Sequence, residues 1–424
     1  MFFVYEALLY LVFVLGFPWF LLVGFLRGKY LPNFWTRLGH YKTAPRSHDL
    51  WVHAVSVGEV LAARTVIDEI ARRRPETSMV VTTTTLSGQA MARRHFQGAE
   101  VTYFPFDFSF AVRRFLHHHR PRVFATMETE IWPNVTELSA QEGVRLLLAN
   151  GRISDRSFPR YRMFRPFLRR VLSRFESILV REETDRERFI AIGASAGKVT
   201  VAGNIKFDFE PSASEPEANE LLTRLAGGRK IFIAGSTMEG EPDLILPAIQ
   251  KIVEEDGGFV VIAPRKPERF NVVASLFETS SLRSKRRTEL TTSEAIDQAI
   301  RSGVDVLVLD SIGELAGLYF QARAAFIGGS LIPSGGHNPI EAAAVGTPVA
   351  FGPSMSNFRE IASVLLEHGA AMEVRDGEQL RQFVHIMFSD EKSHRDMSRQ
   401  AIEIVRNSRG ASARIAGRIL EMLG

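Results

Sequence analysis

Hydrophobic positions are most concentrated at the start of the chain, where Ala7 to Leu26 (ALLYLVFVLGFPWFLLVGFL) carry no charge. A helix of about twenty such residues is roughly 30 Å long, the thickness of a bilayer core, and the pattern predicts a membrane-anchor helix over residues 1–27. Glu6 precedes the run and bulky Phe, Trp and Leu fill it, unlike a cleaved leader with a basic start and small residues at its end. Arg27, Lys29, Arg37, Lys42 and Arg46 follow. The positive-inside tendency then puts the rest of the chain in the cytoplasm. Pro18 and the shortness of the run leave a helix lying in the interface as the alternative.

Beyond the anchor, short β-branched runs alternate with stretches of helical spacing. VVTTTT (80–85), VTYF (101–104), RVFATM (122–127), VRLLLAN (144–150) and KVTVAG (198–203) read as strands of a parallel sheet wound with helices. The pattern restarts after an acidic connector, EPSASEPEANE (210–220), with KIFIAGS, GGFVVIAP, DVLVLD, AAFIGGS and PVAFG. The expected architecture is two Rossmann-like, doubly wound α/β domains, 28–209 and 210–400, with a ligand cleft at the carboxyl ends of both sheets. Residues 401–424 have no strand after them and are expected to pack back on the first domain.

Composition narrows the chemistry. A length of 424 residues suits two or three domains. With no cysteine, disulfides, thiolate catalysis and sulfur-ligated zinc are excluded. A net charge of +4 is too modest to favour nucleic acid as a partner.

Several polar groups sit where strands should end. In WVHAVSVGEV (51–60) a strand gives way at Ser56 to a sharp Val57-Gly58 turn and a carboxylate, Glu59. Glu59 reads either as a helix cap, gaining about 0.3–1 kcal/mol from the dipole, or as a general base. ATMETEIWPN (125–134) ends a strand on Glu128 and Glu130, which suit acid/base work, metal binding or a turn. APRKPERF (263–270) places Arg265 and Lys266 at a strand end, as ligand contacts or a solvated charge pair. In AAFIGGSLIPSGGHNPIEAAAVGTPVAFGP (324–353), Asn338 suits an N-cap and Pro339 the first helical turn. The glycine pairs 328–329 and 335–336 bring bare backbone to that helix start and suggest a phosphate site. Glu341 serves either the cap or ribose hydroxyls. His117 to His119 read as a solvated helix face, since consecutive helical side chains diverge by about 100°. YRMFRPFLRRVLSRF (161–175) interleaves Arg with aromatics and suits an anionic lipid surface, or is a plain amphipathic helix.

HAVSVGEV, METEIWPN, LLLANGRIS, GNIKFD, APRKPERF, IGELAGLY and GGSLIPSGGHNPIEAAA occur in this order across nearly the whole chain. Together they resemble the bacterial 3-deoxy-D-manno-octulosonic acid (Kdo) transferases of lipid A assembly. The resemblance implies a GT-B type glycosyltransferase fold and transfer of Kdo from CMP-Kdo to a lipid A precursor at the cytoplasmic side of the inner membrane. It implies inversion at the anomeric carbon, no cofactor and no metal. By position, Glu59 is the general base, and Glu128 and Lys206 stabilise the transition state. Pro264 and Arg265, Ile312, Gly313 and Glu314, and Asn338, Pro339, Ile340 and Glu341 contact CMP.

Overall fold

The computed structural model describes residues 2–27, 33–208 and 216–424, with side chains of residues 17–27 left aside. Lys29 and most of the acidic connector lie outside the described residues. The chain divides into two compact units, residues 1–208 with 408–424, and residues 209–407.

The first unit holds seven strands: β1 (His48–His53), β2 (Met79–Thr83), β3 (Glu100–Tyr103), β4 (Pro121–Met127), β5 (Arg145–Gly151), β6 (Ser177–Val180) and β7 (Val199–Val201). They pair in parallel in the order β3-β2-β1-β4-β5-β6-β7. Both faces are covered by helices, so both parities of each strand are apolar. Leu50, Val52, Val123 and Ala125 join the core on one face, whereas Trp51, Val80 and Phe124 join the core on the other. Trp51 is fully buried, stacks on Phe124 at 4.0 Å and donates its indole N–H to Thr82 Oγ1 at 2.8 Å. The alternation that would mark a half-exposed strand is therefore absent, and these strands read as continuous apolar runs.

The C-terminal helix Ala411–Leu423 belongs to this unit, burying Ile415, Ile419 and Leu423 in the same core as Val60 and Ile67. Its start is held by the Asp208 carboxylate, which accepts from Gly410 N and Ser412 N, both at 2.5 Å. Its end is met by Arg122 and Arg145, which donate to the carbonyls of Leu423 and Met422. Acid at the start and guanidinium at the end complement the helix dipole. The helix before it, Glu391–Ser408, starts in the second unit, so the two C-terminal helices part company at Arg409-Gly410.

The first helix forms over Phe2–Arg27, and the side chains of the expected anchor beyond residue 16 lie outside the described residues. Among the described residues no helix is long and apolar enough to cross a membrane. One side of its first turns is docked on the N-terminal unit. The Tyr5 hydroxyl donates to Asp107 Oδ2 at 2.7 Å and Glu6 accepts from Ser109 N at 3.1 Å. Tyr10 and Phe13 lie against Phe108, and Phe2 and Tyr5 against Phe167. Asp107 is buried and also accepts from the backbone of Asn134 and Val135, capping the helix Pro133–Gln141. The other side of the first helix, including Phe3, Val12 and Leu15, is exposed.

The second unit repeats the plan with β8 (Ile231–Thr237), β9 (Phe259–Pro264), β10 (Ser284–Arg286), β11 (Val306–Val308), β12 (Ala324–Ile327), β13 (Val349–Phe351) and β14 (Ala371–Glu373). The parallel order is β10-β11-β9-β8-β12-β13-β14.

Candidate functional site

Each sheet has one place where the strand order reverses, and in open α/β sheets a crevice opens there at the strand ends. In the first unit it lies between β1 and β4, and the chain leaving these two strands carries Glu59 and Glu128. In the second it lies between β8, which ends on Thr237, and β12, which runs into the glycine loop.

Glu59 stands at the third position of the helix Val57–Arg73, whose N-cap is Ser56. Its carboxylate accepts from Val55 N at 2.8 Å and from Ser56 Oγ at 3.3 Å. That is cap geometry. Burial nevertheless pushes its pKa up to about 7, the Val55 N–H opposing the shift and the nearby charges of Glu128 and Glu130 adding to it. A carboxylate held half protonated near neutrality is matched to accepting a proton. The cap and base readings of Glu59 are thus compatible: the turn fixes the carboxylate and its surroundings raise its basicity.

Glu128 occupies the left-handed region at φ 57°, costly for a side chain with a Cβ, and its N–H donates to Ala149 O on β5 at 2.8 Å. Arg181, almost wholly buried, donates to Glu128 Oε1 at 2.7 Å and to Asn150 O at 3.3 Å. Asn150 also has positive φ, and its Oδ1 accepts from Ile205 N at 3.3 Å. Lys206 follows in the turn Ile205–Asp208, where Asn204 Oδ1 accepts its backbone N–H at 3.1 Å. Arg181 and Asn150 therefore tie the Glu128 loop to the Lys206 turn. Glu130 accepts from the Trp132 indole at 2.8 Å, and burial raises its pKa. His53, buried under the Phe104 ring at 3.7 Å, is kept neutral by burial, with its pKa pushed down to about 3.

Replacing Arg181 with Met should leave Glu128 as an uncompensated charge near Glu59. With Glu59 as the proton acceptor, the acidic limb of activity is then expected to move up by about half to one pH unit. Activity against pH checks this, and an unmoved limb would make Arg181 a packing residue only.

In the second unit the glycine loop is held by a residue that sequence reasoning missed. Glu241 is fully buried and accepts from Met238 N (2.9 Å), Gly329 N (2.5 Å), Ser330 N (2.9 Å) and Leu331 N (3.0 Å). Gly328 packs so closely on Ser236 and Thr237 that a Cβ would sit 2.5 Å from backbone atoms. The amides of Gly328, Gly335 and Gly336 are also used, by Gly235 O, Ser354 Oγ and Gly329 O. These glycine amides build the loop that leads to the helix start. The helix after them is the single turn Ile340–Ala343, with Pro339 as N-cap in place of Asn338, too short for a substantial dipole. Asn338 still caps in effect, accepting from Ile340 N at 3.1 Å and donating to Glu341 at 3.4 Å.

Arg265 is exposed at the end of β9 and its N–H donates to Thr237 O at 2.9 Å. Its charge reaches both His337, whose pKa falls to about 4 chiefly through burial, and Glu341, whose pKa rises through burial against the pull of Arg265. Arg265, His337, Asn338 and Glu341 thus form one polar cluster. Pro264 ends β9. Ile312 is exposed and Gly313 has φ 103°, while Glu314 is paired with Arg287 at 2.9 Å and accepts from Ser311 at 2.5 Å. Arg287 is a second residue that the sequence did not single out.

The comparisons decide the family. Residues 32–209 match the model of the 3-deoxy-D-manno-octulosonic-acid transferase (kdotransferase) family. The chain is 31% identical to the 3-deoxy-D-manno-octulosonic acid transferase of Haemophilus influenzae over 91% of this chain and 90% of that one. It is 31% identical to the enzyme of the same name from Bordetella pertussis, over 93% and 92% of the two chains. The chain belongs to the Kdo transferase family. It is a glycosyltransferase of lipopolysaccharide biosynthesis. In fold, it is similar to a UDP-GlcNAc 2-epimerase from Neisseria meningitidis (TM-score 0.56, 11% identity, 85% of this chain and 99% of that one). A glycosyltransferase from Rickettsia africae is comparably similar (TM-score 0.56, 12% identity, 89% and 99%). These likenesses concern the fold, two parallel-sheet α/β domains with GT-B-like neighbours. Within the matched region, Arg181 and Asn150 tie the Glu128 loop to the turn that carries Lys206.

Proposed function

We propose that this Kdo transferase moves Kdo from CMP-Kdo to a lipid A precursor by single displacement with inversion, using no metal for the chemistry. The observation that carries the reading is Glu59, a carboxylate whose pKa is raised to about 7 at the crevice of the first sheet. The acceptor hydroxyl oxygen bonds to the anomeric carbon of Kdo, the bond from that carbon to the phosphate oxygen breaks, CMP departs, and Glu59 takes the hydroxyl proton. Lys206 and Glu128, held through Asn150 and Arg181, complete the charge distribution: the ammonium offsets the phosphate and the carboxylate stabilises the developing positive charge on the sugar. CMP is bound by Pro264 and Arg265, by Ile312 to Glu314, and by Asn338 to Glu341. Arg265 takes the phosphate and Glu341 the ribose hydroxyls.

Membrane lipid is the partner of the first unit. Phe3, Val12 and Leu15 of the first helix are exposed, and Arg170 sits over the Phe2 ring at 4.9 Å. Arg160, Arg162, Arg165 and Arg169 on the two short helices Phe158–Met163 and Arg165–Leu172 are exposed, as are Met163 and Phe164. Apolar groups flanked by guanidinium suit the face of an anionic bilayer and the phosphates of the acceptor. The enzyme docks on the cytoplasmic face of the inner membrane by this surface. Mass spectrometry of the lipid after incubation with CMP-Kdo and a lipid A precursor tests the activity: added Kdo supports it, and an unmodified lipid with CMP release independent of acceptor refutes it.

Arg265→Ala is expected to weaken CMP binding by about 1.5–3 kcal/mol, the range of a charge-assisted hydrogen bond, without changing the circular dichroism spectrum. Calorimetric titration with CMP measures this, and unchanged affinity would return Arg265 to a solvated charge.

A further inference from the structure

The histidine run reads as solvated from sequence, yet His119 is completely buried and His118 nearly so. The helix Ser109–His119 ends there, with Arg120 in the left-handed region at φ 40°. Tyr41 stacks on the His118 ring at 4.2 Å and meets His119 edge-on at 5.0 Å, shielding both.

Within this enclosure His48, at the start of β1, and Glu100, at the start of β3, converge on His119. His48 Nε2 lies 3.2 Å from Glu100 Oε2, and His119 Nδ1 lies 3.7 Å from Glu100 Oε1. One ligand atom from each of the three residues falls within 4.8 Å of the other two. Two donors each about 2.0–2.1 Å from a tetrahedral ion stand roughly 3.4 Å apart, so small side-chain rotations would close the set on one ion.

The protons point the same way. His48 Nδ1 faces the carbonyl oxygen of His119 at 3.2 Å, and a carbonyl only accepts. Nδ1 therefore carries a hydrogen, and Nε2 is the ring nitrogen aimed at the carboxylate. Either a proton on Nε2 or a metal cation between the two groups satisfies that juxtaposition. A ring N–H given to a backbone carbonyl is also how metal-bound imidazoles are oriented. His119 supplies an independent sign, because neither of its ring nitrogens has a hydrogen-bond partner although the ring is buried. Beside Glu100 a surface cavity of about 460 Å³, lined also by Thr43, Arg46 and Gln97, leaves room for water as a fourth ligand.

We propose that His48 Nε2, His119 Nδ1 and the Glu100 carboxylate bind one divalent zinc-class ion that staples β1, β3 and the helix Ser109–His119 together. Two imidazoles and a carboxylate suit zinc, and its neighbours in that series, better than magnesium or calcium. The ion has no part in sugar transfer. His48 begins β1 and Glu59 follows its end, so the strand alone separates them by roughly 17 Å. It fastens the sheet at the edge where the incoming segment is tied by Arg46 N to His118 O at 2.8 Å.

The test uses the untagged full-length protein in detergent, stripped by chelator and titrated with Co²⁺ alone. One Co²⁺ per chain is expected, with the intense visible bands of a four-coordinate site, and Zn²⁺ should abolish those bands and raise the melting temperature by mass action. Glu100→Gln, partly exposed and mild in shape, should fold by circular dichroism yet lose the bands and the Zn²⁺-dependent rise, and His119→Asn should do the same. If the stripped wild type shows neither bands nor a shift, the site is a His48–Glu100 ion pair without metal and the proposal fails. Bands that survive in folded Glu100→Gln and His119→Asn overturn it equally, because the ion would then sit elsewhere.

Discussion

Glu59→Gln is expected to lower Kdo transfer by about 10²- to 10⁴-fold while CMP-Kdo still binds, the loss typical of a removed general base. The glutamine oxygen can still accept from Val55 N while its NH₂ donates to Ser56 Oγ, so the turn keeps its bonds and the melting temperature should barely move. The pH profile separates base from cap further. Burial, with Glu128 and Glu130 adding to it, holds the Glu59 pKa up at about 7. Below that value the carboxyl is protonated and cannot take a proton; above it the carboxylate can. For the wild type, kcat/KM should therefore rise with pH to about 7 and level off. The residual activity of the Gln variant should lack that limb, leaving its loss greatest at alkaline pH. A variant that melts clearly lower but transfers at near-normal rate would make Glu59 a cap and move the search for the base to Glu128.

What could be read in advance, and what could not, follows from where the information resides. Strands such as Met79–Thr83 and Phe259–Pro264 were legible because both faces are buried and β-branched residues fill them. Ser177–Val180 has four residues after a helix and offers little periodicity. Ser284–Arg286 is an edge strand of three polar or charged residues, legible only through its partner Val306–Val308. Glu59 and Glu128 stood out as charges where an apolar run stops. Arg181 and Glu241 did not, because an Arg opening REETDRERF and a Glu after Gly240 look like surface charges until partners over fifty residues away are known. His119 failed for the opposite reason. Helical divergence correctly forbids three consecutive histidines from sharing an ion, but it is silent on residues from β1 and β3 arriving at one of them. The first helix shows a similar limit: hydropathy reports its apolar surface, whereas Asp107 and Ser109, which fix it to the protein, lie a hundred residues on.

Glu241→Gln carries the largest expected structural effect. The carboxylate begins the helix Glu241–Glu254, and its two oxygens accept four backbone N–H groups, three of them from Gly329, Ser330 and Leu331. Glutamine matches the shape but replaces one oxygen by an NH₂ that confronts N–H donors, and it removes the charge that strengthens the remaining bonds. With no water to substitute at a fully buried position, the second unit is expected to lose about 3–5 kcal/mol, the scale of a broken buried charge network. Urea unfolding followed in that unit should register the loss. The consequence reaches function because Gly329 also supports the turn of Gly336, whose N–H donates to Gly329 O at 2.7 Å, immediately before His337 and Asn338. Under conditions where the variant remains folded, CMP affinity should fall by about tenfold or more, corresponding to at least about 1.4 kcal/mol. The pH limb set by Glu59 in the other unit should stay near 7. Stability and CMP affinity that both match the wild type would mean that the glycine loop holds its shape without Glu241, and that donor binding is organised by the Arg265 cluster alone.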